Sequence, residues 1–461
     1  MPILKTYTLP HPPLAIPAVG RGQEKEISAT LAAMEKIALE IKQLAPETII
    51  YITPHSTVYA DYFHISPGSK ATGDFGRFGA YAVKLETTYD EQLINEISQI
   101  ARQNDVNAGT QGEREKNLDH ATMVPMWYIN KHYTDYKSVR VSQSGLSSTE
   151  HYLFGQVIAK AVEATNRNVI IIASSDLSHK LKADGPYGLT PEGAEFDAMF
   201  TDAISKGDFL SLFKIPHNIR EAAGECGYNS LMILAGCLDR EKTDSNLISY
   251  ECPFGVGYAV AEFTPKGKND ARNILEKFIE LTLNDIENKR NMEDDYQTLA
   301  RRSLEHVIAS GELFAVPGGL PSEMINNAAG VFVSIHKEGM LRGCIGTISP
   351  TTANIAQEII QNAVSAGLND NRFNPVSAEE LPFLTYKTDI LFPAEKITGL
   401  HELDVKRYGV IVTSGRKRGL LLPNLDGIDT AEQQVEIAKN KAGIRKGEKI
   451  TLERFEVIRH G

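Results

Sequence analysis

The first 265 residues alternate between short apolar runs and longer stretches in which apolar residues recur every three or four positions. Thr48–Thr53 (TIIYIT) and residues 168–174 (NVIIIAS) are rich in β-branched residues and predict buried strands. Further strands are predicted at 2–9, 138–143 and 254–264, and helices from Ser28 and near 90–104, 149–165, 191–206 and 228–238. Because strands alternate with helices, residues 1–265 are predicted to form an α/β domain with a central sheet flanked by helices.

A different pattern follows a polar, turn-rich segment at 265–270 (PKGKND). Charged helical patterns near 270–288 and 293–309 indicate that residues 266–290 form a helical connection between two domains. Beyond them, strands are predicted near 330–336, 341–346, 385–392, 408–413 and 450–458, with helices near 352–366 and 430–442. Residues 291–461 are therefore predicted to form an α+β domain.

Composition narrows the class of protein. The chain has 461 residues, 42% of them hydrophobic, and a formal net charge of −11, which disfavours nucleic acid and anionic membranes as partners. The sequence has no apolar run long enough to span a bilayer and no recognisable signal peptide, so we expect a cytoplasmic protein. The sequence is also compatible with a homo-oligomer. The four cysteines, Cys226, Cys237, Cys252 and Cys344, form no CxxC pair and predict neither a zinc knuckle nor a disulfide framework.

Candidate chemistry lies at predicted strand ends. His11 is held among three prolines, and His55 and His179 each come shortly after a buried strand. With Glu225, they offer imidazoles and a carboxylate, the donor types of the non-haem Fe(II) facial triad, while a further histidine outside the metal sphere can move protons near neutral pH. From the residues alone, a metal site and a scatter of structural histidines both stay open.

Four motifs resemble the class III extradiol ring-cleavage dioxygenases of the LigB superfamily. They are HPPLAIPAVGRG from residue 11, TPHS at 53–56, LDHATMVPM at 118–126 and SSDLSHK at 174–180, in the family's order. The resemblance implies iron ligands at His11, His55 and Glu225, an acid/base at His179 and a substrate-side histidine at His120. The chain departs from the family at residue 121, where alanine replaces the usual glycine.

The third ligand has two alternatives. Cys226 and Gly227 also resemble the Memo proteins, relatives with the same fold that place a cysteine at this position. Glu221 is a second alternative. Glu225 is the ligand predicted here, although a carboxylate at a helix N-terminus is also stabilised simply by the helix dipole.

The second domain resembles the AMMECR-type domain known as AmmeMemoRadiSam system protein A. The resemblance rests on LRGCIG at 341–346, NDNRFNP at 369–375 and GLLLP at 419–423. Arg342 is a candidate for binding an anion, the alternative being a fold-holding pair with an acid such as Asp370. Cys344 is a candidate nucleophile, the alternative being a buried small residue.

These resemblances imply three functions. The first is a non-haem Fe(II) enzyme that opens a catechol-type aromatic ring, with both diol oxygens on the metal; zinc or manganese are alternative metals. The second is a metal-dependent component of the AmmeMemoRadiSam system, working with radical SAM and Memo partners on an unknown substrate. The third is a metal-binding interaction module without turnover.

Overall fold

A computed structural model describes residues 2–425 and 427–461. The chain divides into two compact units between Ile279 and Glu280, inside the segment 266–290 predicted to connect two domains. In the described ranges, no helix combines the length and the apolar character that crossing a bilayer requires.

The helices and strands of the first unit alternate, as the sequence predicts. The helices are α1 (Pro17–Gly20), α2 (Ser28–Leu44), α3 (Glu91–Gln103), α4 (His120–Asn130), α5 (Ser148–Thr165), α6 (Pro191–Lys206), α7 (Phe209–Phe213), α8 (His217–Ala223), α9 (Tyr228–Cys237) and α10 (Ile274–Arg290), which runs across the division. The strands are β1 (Ile3–Leu9), β2 (Thr48–Thr53), β3 (Phe63–His64), β4 (Lys70–Phe75), β5 (Ala80–Thr88), β6 (Ala108–Gly109), β7 (Lys137–Ser142), β8 (Val169–Ser174), β9 (Glu241–Glu251) and β10 (Tyr258–Lys268).

The central sheet has the strand order β7-β2-β8-β1-β10-β9. Strands β7, β2, β8 and β1 run parallel, whereas β10 is antiparallel to β1 and β9 is antiparallel to β10. Leu9 pairs with Ser174, and Ile52 pairs with Ala173. The carboxyl ends of β1, β8 and β2 therefore lie together at one edge, where ligands collect in parallel sheets.

Burial explains why the two apolar runs form the centre of this sheet. Every residue of β2 and β8 is buried, so both faces of the sheet must be covered by helices. Helix α2 packs against α4, and α5 packs against α3 and α9. A Cβ atom on Gly155 would lie 2.0 Å from the carbonyl oxygen of Ile233, so the close contact of α5 with α9 requires glycine.

Two predictions of local structure needed correction. The final strand of the domain, predicted at 254–264, is the second strand of a β9–β10 hairpin, and β9 was not predicted because it is an edge strand with alternating polar residues. The apolar stretch after His120 carries no clear helical signal in the sequence, yet it forms helix α4 with Pro125 inside it. Neighbouring structure overrides the helix-breaking tendency of proline here.

The second unit is α+β, as predicted. Its elements are α11 (Asp295–Ser310), α12 (Ser322–Asn326), β11 (Gly330–Lys337), β12 (Met340–Gly346), α13 (Ile355–Leu368), β13 (Leu384–Leu391), β14 (Glu395–Ile397), β15 (Gly409–Ser414), β16 (Lys417–Leu421), α14 (Ala431–Lys441), β17 (Thr451–Phe455) and β18 (Val457–His460). They form two antiparallel sheets, β12-β11-β13-β18 and β14-β17-β15-β16. Helices α11 and α13 pack on the first sheet, and α14 packs on the second.

Candidate metal centre

Three metal-ligating side chains converge at the carboxyl edge of the central sheet. Within the described part of the chain, the ligand atoms of His11, His55 and Cys226 lie within 4.8 Å of one another. The sulfur of Cys226 lies 3.5 Å from Nε2 of His11. His11 follows β1, His55 follows β2, and Cys226 lies between α8 and α9, so the group joins three separate segments.

The hydrogen bonds of His11 determine which of its ring nitrogens carries the proton. Ser174 donates its hydroxyl to the carbonyl oxygen of Ala121 at 2.6 Å, and its oxygen is 2.9 Å from Nδ1 of His11. Because the single hydroxyl hydrogen is already used, Ser174 can only accept from Nδ1–H. The lone pair of His11 therefore lies on Nε2, which faces Cys226, as a metal ligand requires.

The carbonyl oxygen of Ala121 is available to Ser174 because of a proline in helix α4. Pro125 lies four residues later in helix α4 and has no N–H to donate to it. Pro125 thus leaves an acceptor within the helix available for Ser174. Burial lowers the pKa of His11 well below its usual value, with further lowering by the neighbouring histidines, so the ring is neutral at pH 7.

Cys226 is held by the end of β8. Its backbone N–H donates to the carbonyl oxygen of Asp176 at 3.4 Å. A Cβ atom on Gly227 would lie 2.4 Å from the Cβ of Ser175, so the loop can approach β8 only with glycine there. Burial, together with the carboxylates of Asp176 and Glu225, raises the pKa of the Cys226 thiol, and a bound metal would have to displace the thiol proton.

Neither carboxylate considered as the third ligand belongs to this group. Glu225 accepts a hydrogen bond from the backbone N–H of Tyr228 at 2.7 Å, which is the helix-terminus role considered for it from the sequence. Glu221 is exposed and pairs with His217 at 3.8 Å. We therefore replace Glu225 with Cys226 as the third candidate ligand.

The two other predicted histidines surround the group. The His120 ring stacks on that of His55 with centroids 4.6 Å apart. Burial lowers the pKa of His120 to about 4, and the His55 ring adds to this shift. His179 is half-buried, and its Nδ1 has no hydrogen-bond partner among the residues that the structure describes. The ring of Tyr187 meets it edge-on at 5.2 Å. Burial lowers the pKa of His179 as well, so both rings are neutral at pH 7.

A cavity of about 1140 Å³ opens beside this group, with His55 and His120 in its wall. Apolar and charged side chains share the rest of the lining, among them Phe78, Lys84, Arg114, Leu118 and Met123. The ring of Phe78 meets His120 at 5.4 Å. The cavity is large enough for a small organic molecule.

The candidates in the second unit have structural partners. Arg342 makes a bidentate contact with Glu380, at 3.0 and 2.9 Å, and not with the suggested Asp370. Asp370 instead accepts from Arg372 and from the backbone N–H of Cys344. The Cys344 thiol is half-buried and accepts a hydrogen bond from Ser334 at 3.2 Å. These contacts favour the fold-holding interpretation of Arg342.

Three residues that support the candidate ligands and His120, directly or through a partner, are not predicted from the sequence: Ser174, Asp119 and Arg140. Ser174 lies in a quoted motif, but its role depends on a carbonyl freed by Pro125 in a helix that was not predicted. Arg140 is 1% exposed although it carries a charge, and only the fold reveals that burial.

Two family models match the two halves of the chain. Residues 5–261 match the family model described as the catalytic LigB subunit of aromatic ring-opening dioxygenase, and residues 297–460 match the AMMECR1 model. The resemblance of the two halves to these families is thereby confirmed.

Individual relatives extend the comparison over the whole chain. A protein of Clostridium acetobutylicum is 43% identical over 98% of both chains. A Thermotoga maritima protein is 45% identical over 36% of this chain and 98% of its own. An uncharacterized Escherichia coli K12 structure covers 57% of this chain and 99% of its own, with 12% identity and a TM-score of 0.39.

Proposed function

Because residues 5–261 make this chain a member of the LigB family of aromatic ring-opening dioxygenase subunits, we propose that its first domain is a transition-metal enzyme acting on a small molecule. The observation that carries the proposal is the convergence of His11, His55 and Cys226, with the unprotonated Nε2 of His11 facing the sulfur. Two imidazoles and one thiolate would hold the ion.

The donor atoms restrict which metal ions suit the site. A thiolate beside two imidazoles suits softer or borderline ions such as zinc, copper and iron, whereas manganese and magnesium prefer oxygen donors. Three protein ligands leave a position for water or substrate. When bound, such an ion polarises a coordinated oxygen and so lowers the pKa of that group.

The protein residues around the group supply binding and proton transfer. The cavity beside His55 and His120 receives the substrate. His179 and His120 are neutral at pH 7 because burial lowers the pKa of each, and they accept protons as the substrate reacts. Both side chains are half-buried, so each can exchange protons with solvent.

Ring opening of a catechol with Fe(II) is a second candidate. The observation that favours it is the pair of neutral imidazoles, His120 and His179, around the ligand group, together with the Phe78 ring in the cavity wall. Oxygen uptake by the Fe(II)-loaded protein with a series of catechols tests it directly. The absence of uptake by metal-replete protein would reject this reaction and leave the metal proposal intact.

Metal stoichiometry tests the leading proposal. Equilibrium dialysis under reducing, anaerobic conditions, followed by elemental analysis, compares Zn(II), Fe(II), Cu(I) and Mn(II). We expect one equivalent of a thiolate-binding ion per chain and weak retention of Mn(II). If none of the four ions binds stoichiometrically to the wild-type chain, the proposal is wrong.

A further inference from the structure

One carboxylate connects the segments that carry His55 and His120. Asp119 accepts a hydrogen bond from the Thr53 hydroxyl at 2.7 Å. The Thr53 oxygen in turn accepts the backbone N–H of His55 at 3.1 Å. Asp119 is also the N-cap of helix α4, where it accepts from the Thr122 N–H at 3.0 Å and from the Thr122 hydroxyl at 2.9 Å. His120 is the first residue of that helix.

A buried arginine holds this carboxylate and its loop. Arg140, on β7, is 1% exposed, and its NH1 lies 3.5 Å from Asp119. Its guanidinium also donates to the carbonyl oxygens of Asn117 and Glu115, at 2.7 and 3.0 Å, and to Ser66 at 2.7 Å. A buried arginine with this many partners fixes the segment before Asp119, since each broken bond would leave a buried donor unpaired.

We infer that Asp119, anchored by Arg140, is a positioning residue that sets the distance between His55 and His120. The inference rests on the proposed metal site, because His55 is one of its candidate ligands. The backbone at His55 and the start of α4 both depend on one oxygen, Oδ1 of Asp119, which accepts from the Thr53 hydroxyl and from the Thr122 N–H. Their rings consequently stack at 4.6 Å with an interplanar angle of 19°, and this holds His120 beside the ligand group.

The chain contains a matched control for this link. Thr48 and Thr53 are the first and last residues of β2, and both are fully buried. Thr48 donates its hydroxyl at 2.6 Å to Asp90, which is the N-cap of α3. Thr48→Val therefore removes a hydrogen bond from a threonine hydroxyl to a helix-capping aspartate at the start of β2. Thr53→Val removes the same kind of hydrogen bond at the end of β2, next to His55.

Two measurements compare these variants in the full chain. The first is the crystal structure of each metal-free variant, and the second is the Co(II) dissociation constant, read from the absorption of thiolate-bound Co(II). We expect Thr53→Val to open the stack of His55 on His120 and to weaken Co(II) binding on the order of tenfold. Thr48→Val should lower the melting temperature similarly and leave both the stack and Co(II) affinity unchanged.

Two outcomes would overturn the inference. One is an unchanged ring stack in metal-free Thr53→Val, whatever the metal affinity. The other is an equal loss of Co(II) affinity in both variants, which would show general destabilisation. If the wild-type chain fails to bind Co(II) through Cys226, the proposed metal site fails instead, and the crystal structures alone decide the role of Asp119.

Discussion

Nδ1 of His11 lies 2.9 Å from the hydroxyl oxygen of Ser174, and this contact orients the imidazole toward Cys226. The serine can act only as an acceptor here because its hydrogen is donated to Ala121. That acceptor is free because Pro125 lacks an N–H. A proline in one helix thereby determines the tautomer of a candidate metal ligand on another segment.

Removing the Ser174 hydroxyl should weaken metal binding without unfolding the chain. Ser174→Ala leaves Nδ1 of His11 without its acceptor, and the other tautomer, with the proton on Nε2, becomes accessible. We expect metal affinity to fall roughly 10–100-fold, the usual effect of losing the partner of a ligating histidine. Competition with a chromophoric chelator measures this.

Ser175→Ala is the control for that experiment. Ser175 is equally buried, and its hydroxyl bonds to that of Thr8 at 2.6 Å. Alanine keeps the Cβ atom that packs against Gly227, so only the hydroxyl is lost. Its replacement should leave metal affinity unchanged. An equal loss of affinity in both variants would argue against the tautomer explanation.

His179→Ala separates proton transfer from metal binding. Since His179 is not one of the three converging ligands, the variant should keep its metal. The turnover rate with an active substrate should fall roughly 10²–10⁴-fold, the usual contribution of a positioned acid/base. Metal content and single-turnover rate are measured on the same samples. His132→Ala, which removes an imidazole paired with Glu35, should change neither quantity, and loss of metal from His179→Ala would place that residue among the ligands.

Much of the fold follows from local patterns. The runs at β2 and β8 are short, apolar and rich in β-branched residues, a pattern that favours buried strands. By contrast, β9 has polar residues at alternate positions and is stabilised by its pairing with β10, which no local pattern reveals. Helix α4 was hidden because Pro125 opposes it locally while burial of its apolar residues stabilises it.

The choice between Glu225 and Cys226 shows where sequence reasoning ends. The two residues are adjacent, so spacing cannot distinguish them, and a carboxylate fits the expected triad. The two side chains point in different directions: that of Glu225 turns to the N–H of Tyr228, and that of Cys226 turns to His11. A turn of this kind depends on Gly227 packing against Ser175, a contact between distant segments.

The Arg342–Glu380 pair should make the stability of the second unit depend on pH. Burial alone would raise the pKa of Glu380, but the bonds from Arg342 and the charge of Lys337 lower it from 4.5 to about 2. The stabilisation is therefore present above pH 4.5 and is lost as the pH falls toward 2. Glu380→Gln should cost about 1–3 kcal/mol of unfolding free energy at pH 7 and much less near pH 2.

Denaturant unfolding of the full chain at both pH values measures this cost. Glu379→Gln, at an exposed neighbouring position, is the control and should have little effect on the unfolding free energy at pH 7. A cost for Glu380→Gln that is equal at pH 7 and near pH 2 would show that the ionised pair is not its source.

The second domain should fold by itself. Residues 291–461 retain Asp294, which caps α11 through the N–H groups of Tyr296 and Gln297. They also retain both sheets of the second unit and the helices packed on them. We expect this shortened chain to be soluble and to melt in one cooperative transition by circular dichroism. An NMR spectrum without chemical-shift dispersion would contradict this.

The most direct test of the account is the metal content of Cys226→Ala beside that of Glu225→Gln. Both variants are loaded with Zn(II) under reducing conditions, dialysed and analysed for metal per chain, with Cys237→Ala as the control for losing a buried thiol elsewhere. If Cys226 is the third ligand, Cys226→Ala loses stoichiometric zinc, whereas Glu225→Gln and Cys237→Ala keep one equivalent. Full zinc in Cys226→Ala together with loss from Glu225→Gln would contradict it.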